Sequence, residues 1–230
     1  MNVLIIGGSS DIGISLAKYL LQKNYNVIVT YYNHLIKEDD IEFIKCDVKS
    51  EDDVRKTFKY VMDKYERIDI LINMAAISND NYYLDKTKEE FMNVLEVNLV
   101  GCFLLNKIYS EYIQDGVIIN IASTDGINTG SLYNLDYAAS KAGIINMSKI
   151  LNDNTSNNVI CICPNWIDSE TTKSMNPDYL KSELDRIGQS RLITIDELDR
   201  SIYEIINKPK DKRNTYVVDI KEDKLWIEKI

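Results

Sequence analysis

Tyr137 and Lys141 stand four residues apart in Tyr137-Ala138-Ala139-Ser140-Lys141. If the segment from about Asp136 to Leu151 is helical, they lie one turn apart on one face. A free phenol titrates near ~10, too high for proton exchange at neutral pH, and an adjacent ammonium favours the phenolate and lowers that value. The pair therefore reads as a general acid–base unit. Ser123 offers a hydroxyl a short loop upstream. A bare Y-x-x-x-K is more often a surface tyrosine over a solvated lysine, so the surrounding elements must decide.

Those elements alternate. Asn2 to Ile6 is a continuous apolar strand, followed by Gly7-Gly8-Ser9-Ser10-Asp11-Ile12-Gly13 and a helix through about Asn24 with Ile14, Leu16, Ala17, Leu20 and Leu21 inward. Glycines at such a turn let backbone approach a pyrophosphate, and the positive end of the next helix attracts the anion. A second strand, Val27 to Tyr31, runs into Tyr32, Asn33 and His34, with no acid before Glu38 to bind a ribose 2′-hydroxyl and no arginine for a 2′-phosphate. This gives a weak lean to NADP(H) over NAD(H). A third strand, Ile41 to Lys45, ends at Cys46-Asp47-Val48. There Asp47 can meet an adenine amino group, serve the turn before a helix Glu51 to Tyr65, or do both.

A fourth strand, Ile68 to Ile72, leads to Asn73-Met74-Ala75-Ala76, small enough for close packing on a flat ligand. The helical pattern Lys88 to Tyr112 carries Asn98 on its apolar stripe, as a satisfied core amide or a placed functional one. Val117 to Ile121 delivers Ser123 to a strand end, and Val159 to Cys163 is the sixth strand, stopped at Pro164. Asn165 to Ser190 reads as a substrate cover or an ordinary surface excursion. Ile193 to Ile206 is a last helix and Tyr216 to Ile220 a last strand. The tail Lys221 to Ile230 is expected on a neighbouring subunit.

At 230 residues, 45% hydrophobic and 27% charged, the chain suits one α/β domain. No apolar run of ~18 residues is expected to span a membrane. The N-terminus lacks a basic leader, so a cytoplasmic protein is expected. A net charge of −9 argues against nucleic acid and anionic membranes as partners. Cys46, Cys102, Cys161 and Cys163 are scattered and His34 is the sole histidine, so no metal site is expected.

The order of strands and helices predicts a doubly wound, Rossmann-type parallel sheet of about seven strands, with helices on both faces. The residues also resemble the short-chain dehydrogenases/reductases over nearly the whole chain. Gly7, Ile12 and Gly13 match that family's T-G-x-x-x-G-I-G signature, with Ile6 for threonine and Asp11 for the middle glycine. Asn73-Met74-Ala75-Ala76 is similar to N-N-A-G, and Asp47 to the adenine-contacting aspartate. Asn98, Ser123, Tyr137 and Lys141 match the four catalytic positions. Pro164-Asn165-Trp166-Ile167-Asp168-Ser169 resembles P-G-x-I-x-T over the nicotinamide.

The resemblance implies an oxidoreductase that interconverts a carbonyl and an alcohol with NAD(P)(H). Tyr137 would be the proton donor, Ser123 would orient the carbonyl, Lys141 would tune Tyr137 and grip the ribose, and Asn98 would hold a relay water. Cofactor contacts are expected from Gly7, Ser9, Ser10, Asp11, Ile12, Gly13, Tyr31, Tyr32, Asn33, Asp47, Val48, Asn73, Ala75, Pro164, Trp166, Ile167 and Ser169, with Tyr137 and Lys141. The subgroup it resembles is the 3-oxoacyl-acyl-carrier-protein reductases and related ketone reductases. The alternatives are an NAD-dependent alcohol, sugar or steroid-type dehydrogenase and, in another class, a non-catalytic dinucleotide sensor or scaffold. A small-molecule or acyl-thioester substrate and a homotetramer or dimer are further expectations.

Overall fold

The computed structural model describes residues 1–230 apart from 37. Its order is β1 (Asn2–Ile6), α1 (Asp11–Gln22), β2 (Asn26–Tyr31), β3 (Glu42–Lys45), α2 (Glu51–Tyr65), β4 (Ile70–Asn73), α3 (Lys88–Leu95), a π-helical turn (Glu96–Val100), α4 (Gly101–Tyr112), β5 (Val117–Ile121), α5 (Leu135–Asn154), β6 (Asn158–Pro164), α6 (Glu170–Lys173), α7 (Pro177–Ile187), α8 (Ile195–Ile206), β7 (Thr215–Lys221) and β8 (Lys224–Lys229). The strands form one sheet in the order β3-β2-β1-β4-β5-β6-β7-β8. The first seven run parallel and β8 is antiparallel to β7.

The sheet therefore has eight strands where about seven were expected. The tail expected on a neighbouring subunit is the extra one, pairing Val218 with Ile227 and Ile220 with Leu225. Its alternation of charged and apolar residues is the period of an edge strand with one face covered.

The same period divides the core. Val3 and Ile5 of β1 face α1 and α8, among Leu16, Leu20, Leu198 and Ile202. Leu4 and Ile6 face the opposite way onto Phe58 of α2 and Leu105 and Tyr109 of α4. Both faces of the central strands are dry, which accounts for their unbroken apolar runs. Truncating Ile5, which is wholly buried, should cost about 2–5 kcal/mol.

The continuous helical stretch Lys88–Tyr112 is long and apolar enough by composition to cross a membrane, contrary to the expectation that no segment would be. Here its buried side packs on the sheet through Leu105, Ile108 and Tyr109. A buried network joins α4, β5 and α5: Asn106 and Asn120 exchange amide hydrogen bonds at 3.0 and 3.1 Å, and Asn120 also donates to Ser148 at 3.0 Å. All four cysteines are buried free thiols.

Chain connections leave β1 for β2 on one side and reach β4 on the other, so the order reverses between β1 and β4. In open α/β sheets the crevice at the carboxyl ends beside that reversal is the ligand-binding position.

Candidate active site

At the reversal, the turn after β1 winds tightly. Gly7 has φ +70°, and a Cβ there would sit 2.6 Å from Ala75 Cα; a Cβ on Gly13 would sit 2.4 Å from the Gly8 carbonyl oxygen. Both positions admit only glycine. Gly7 N–H donates to Thr30 Oγ1 at 2.9 Å, and Ser10 caps α1 by accepting from Gly13 N–H at 3.2 Å. Ser9 lies in the turn between them. The middle-glycine position holds Asp11, whose carboxylate accepts the Glu170 N–H at 2.6 Å. Asp11 thus turns toward the start of α6, and its substitution ties the glycine turn to the segment across the crevice.

Ser123 and Asn165 both line the cavity, just beyond the ends of β5 and β6. Asn165, where the family pattern has glycine, accepts from Thr124 Oγ1 at 3.2 Å and donates to Asp219 at 3.0 Å. The substitution builds a bridge between loops. Pro164, Trp166, Ile167 and Ser169 follow along the wall, and Ser169 caps α6.

These parts enclose a cavity of about 350 Å³ that runs from Ser10 and Ile12 to Ser123, Tyr137 and Lys141. The elongated site starts at a helix N-terminus and ends at titratable groups, which fits a dinucleotide. Asn73, at the end of β4, is buried with its Oδ1 unpartnered among the described residues, and it does not line the cavity.

The other expected cofactor residues divide. Ala75 packs against the glycine turn. Tyr31 is half-buried at the end of β2, while Tyr32 and Asn33 are exposed beyond it. Asp47 accepts the Lys49 N–H at 2.9 Å before α2, and Ser50 caps that helix. Val48 is buried and would meet a Cβ on Gly101 at 2.9 Å. None of these six lines the cavity, so their expected contacts depend on how the adenosine end lies along the sheet edge.

Tyr137 and Lys141 share a face of α5, as their spacing predicts, but their coupling differs from expectation. Lys141 Nζ lies 5.2 Å from the Tyr137 ring centre and donates to the Ile121 carbonyl at 2.8 Å. Burial lowers the lysine to about 8. Tyr137 is raised, not lowered, first by burial and then by Asp125 and Asp80, with the Ser123 hydroxyl opposing. In the protein alone, desolvation and two carboxylates outweigh the Ser123 hydroxyl.

Asn98 also differs from expectation. It sits wholly buried in the π-helical turn, accepting from Ile77 N–H at 2.8 Å and donating to Ile77 O at 2.9 Å and Ser140 Oγ at 3.1 Å. Its side chain clamps the loop after β4 and is committed to protein partners. The π turn interrupts the regular carbonyl ladder at this point, as such turns often do at functional sites.

Sequence reasoning missed Lys86, Asp136, Asp80 and Asp125. Lys86 Nζ lies 2.8 Å from Asp136, with side chains 3% and 0% exposed. Asp125 accepts from Thr129 at 2.7 Å and Asn134 at 2.8 Å. Asp80 and Asp125 both line the cavity. Lys86 and Asp136 are fifty positions apart, so no local pattern announces the pair; the adjacency of Asp136 to Tyr137 was the sole signal.

Met175 and Tyr179, on the segment that carries α6 and α7, line the cavity. That segment is joined to the body by the Ile167–Ile193 bridge.

Comparison with known proteins agrees with this geometry. The family model for short chain dehydrogenase matches residues 1–180. The chain is 31% identical over 229 residues to carbonyl reductase family member 4 of Xenopus laevis, covering 94% of each. It is 32% identical over 197 residues to the 3-oxoacyl-acyl-carrier-protein reductase FabG of Chlamydia trachomatis, covering 78% of this chain and 79% of the relative. Among solved structures, an actinorhodin polyketide ketoreductase variant with NADPH superposes with TM-score 0.78 at 24% identity, covering 90% of each chain. Thermoplasma acidophilum aldohexose dehydrogenase in ligand-free form also gives 0.78, at 22% identity, covering 88% of this chain and 85% of that one. The chain belongs to the short-chain dehydrogenase/reductase family, oxidoreductases of carbonyl and alcohol groups that use NAD(P)(H).

Proposed function

We propose that this protein reduces a ketone to a secondary alcohol, with Tyr137 as proton donor, Ser123 as the group that orients the carbonyl oxygen, and Lys141 as the cation beside them. The observation that carries this reading is the convergence of Ser123, Tyr137 and Lys141 on one cavity that begins at the glycine turn. When bound, the nicotinamide cofactor supplies the hydride.

The chain's own residues do the rest. The turn Gly7–Gly13 and the α1 N-terminus hold the diphosphate, with Ser9, Ser10 and Ile12 beside it. Pro164, Trp166, Ile167 and Ser169 wall the nicotinamide end. Tyr137 releases its proton to the developing alkoxide, which removes the need for bulk water to protonate it. Lys141, already low in pKa, exchanges a proton near neutral pH and offers its ammonium to the ribose. Asn98 acts by holding the loop that forms the opposite wall, and the carbonyl groups freed by the π turn are the place for a relay water.

NADPH is the favoured cofactor, because the end of β2 presents Tyr31, Tyr32 and Asn33 with no carboxylate to repel a 2′-phosphate. Asp47 and Val48 sit at the corresponding edge for the adenine. Among ketones, 3-oxoacyl thioesters come first for testing, since FabG of Chlamydia trachomatis carries that activity in its name. A homotetramer or dimer is proposed through the outer faces of α4 and α5, where Phe103 and Ile150 are about half exposed. We place the protein in the cytoplasm.

The test is a fluorescence titration with NADPH and with NADH, followed by turnover of a ketone panel by the native protein and by Tyr137→Phe. The expected result is tighter NADPH binding and loss of turnover in the variant with nucleotide binding retained. Full activity of Tyr137→Phe overturns the assignment.

A further inference from the structure

The charged side chains lining the substrate end of the cavity are unequal in sign. Asp80 and Asp125 face it, and among the described residues the one cation lining it is Lys141, which donates to the Ile121 carbonyl. The other nearby cations are also committed. Lys86 is locked into Asp136, with a further bond to the Asn79 carbonyl, and Arg186 is paired with Glu183 at 2.7 Å and donates to the Thr129 carbonyl at 2.6 Å. Neither carboxylate is paired with a lysine or arginine among the described residues.

Asp125 is held in place by its own bonds, Asp80 only through the loop that carries it. The loop bearing Asp80 is pinned at Ile77 by Asn98 and at its far end by the Lys86–Asp136 pair. Asp80 itself forms no hydrogen bond or ion pair among the described residues, so its acceptor oxygens are free. Asp125 is fixed by Thr129 and Asn134, each bonded to a different oxygen, and one lone pair on each remains. The other polar lining includes the hydroxyl and amide groups of Ser78, Ser123, Asn134 and Tyr179. A pocket whose carboxylates keep free acceptor positions rewards a ligand that donates and repels one that carries its own negative charge.

We propose that Asp80 and Asp125 select carbonyl and alcohol substrates that carry hydrogen-bond donors, hydroxyl or ammonium groups, near the reacting carbon, and reject substrates with a carboxylate there. The inference rests on the oxidoreductase reading and narrows it. The redox balance is that of the parent reaction: the alcohol carbon loses a hydride to NAD(P)⁺ and its oxygen loses a proton to Tyr137, or the reverse in reduction.

The test compares kcat/KM of the full-length protein, with saturating cofactor, for dihydroxyacetone, aminoacetone, acetoacetate and the neutral acetoacetyl thioester of N-acetylcysteamine. The hydroxyl or ammonium compound should exceed acetoacetate by at least about tenfold, and which of the two leads identifies the donor. Asp125→Asn and Asp80→Asn should each shrink that ratio by about tenfold, chiefly by raising turnover of acetoacetate. Asp80→Asn carries no folding cost, because the side chain is unpartnered and exposed.

Acetoacetate within about threefold of the donor compounds, or unchanged ratios in both variants, overturns the proposal. Turnover of the thioester alone does so too, while leaving the ketone reductase reading intact. If the native protein turns over none of the four, the parent reading fails. Saturation-transfer NMR on the cofactor-bound Tyr137→Phe protein then decides the selectivity separately, where acetoacetate binding as well as dihydroxyacetone overturns it.

Discussion

The Lys86 ammonium lies 2.8 Å from the Asp136 carboxylate, both almost excluded from solvent, and the other oxygen of Asp136 accepts the N–H of Tyr137 at 2.9 Å. One ion pair therefore joins the loop on one wall of the cavity to the first turn of the helix that carries the proposed proton donor. Removing one partner leaves an uncompensated buried charge, at a cost of about 3–5 kcal/mol. Lys86→Met and Asp136→Asn should each lower the unfolding free energy, read from urea denaturation, by that amount and shift the pH profile of kcat. Lys86→Met/Asp136→Leu should recover much of the stability without the pH profile. Single variants that unfold like the native protein would refute the role.

Asp199 of α8 sets a pH limit. It is 2% exposed, its Oδ2 accepts the Ser15 hydroxyl at 2.6 Å, and its Oδ1 has no partner among the described residues. Burial raises its carboxyl from 3.8 to about 7. The folded protein thus keeps a proton that the unfolded chain releases above 3.8, so this group costs stability increasingly from about pH 4 to 7 and fully above it. Asp199→Asn should be more stable at pH 8, by on the order of 3 kcal/mol, and lose that advantage near pH 4. Parallel denaturation curves at both pH values would contradict it.

Lys141 carries the opposite sign. Burial lowers it from 10.5 to about 8, so the folded state disfavours the ammonium, and the penalty is full below pH 8 and fades toward 10.5. Lys141→Met should melt at or above the native temperature at pH 7 and lose that gain by pH 10, with turnover reduced by at least about a hundredfold. A destabilised variant at pH 7 would show that the bond to Ile121 outweighs desolvation.

Gly13→Ala should remove nucleotide binding. The added Cβ would lie 2.4–2.6 Å from Gly8 backbone atoms, which cannot yield as a side chain tip would, so the turn must open. Titration with NADPH should show affinity weakened by about a hundredfold or more, alongside a loss of about 1–3 kcal/mol in overpacking. Native affinity would mean that the turn tolerates expansion.

Much of this protein was legible from residue order. The runs Val3 to Ile6 and Val159 to Cys163, the glycine turn and the four-residue spacing of Tyr137 and Lys141 are local patterns, and backbone periodicity converts them directly into strands, a tight turn and a shared helix face. The parallel order of the central strands follows from the same alternation. Other features depended on contacts between distant segments. Whether Lys221 to Ile230 is a tail or an edge strand is decided by the neighbouring β7. Asn98 is a loop clamp because Ile77 and Ser140 reach it.

The sign of the Tyr137 shift depended first on burial and then on Asp125 and Asp80, and Lys86 found Asp136 across fifty residues of chain. The sequence by itself determined what could be done chemically, since residue types and short spacings are local. Only the tertiary structure decided the electrostatics, because burial and charge act through space.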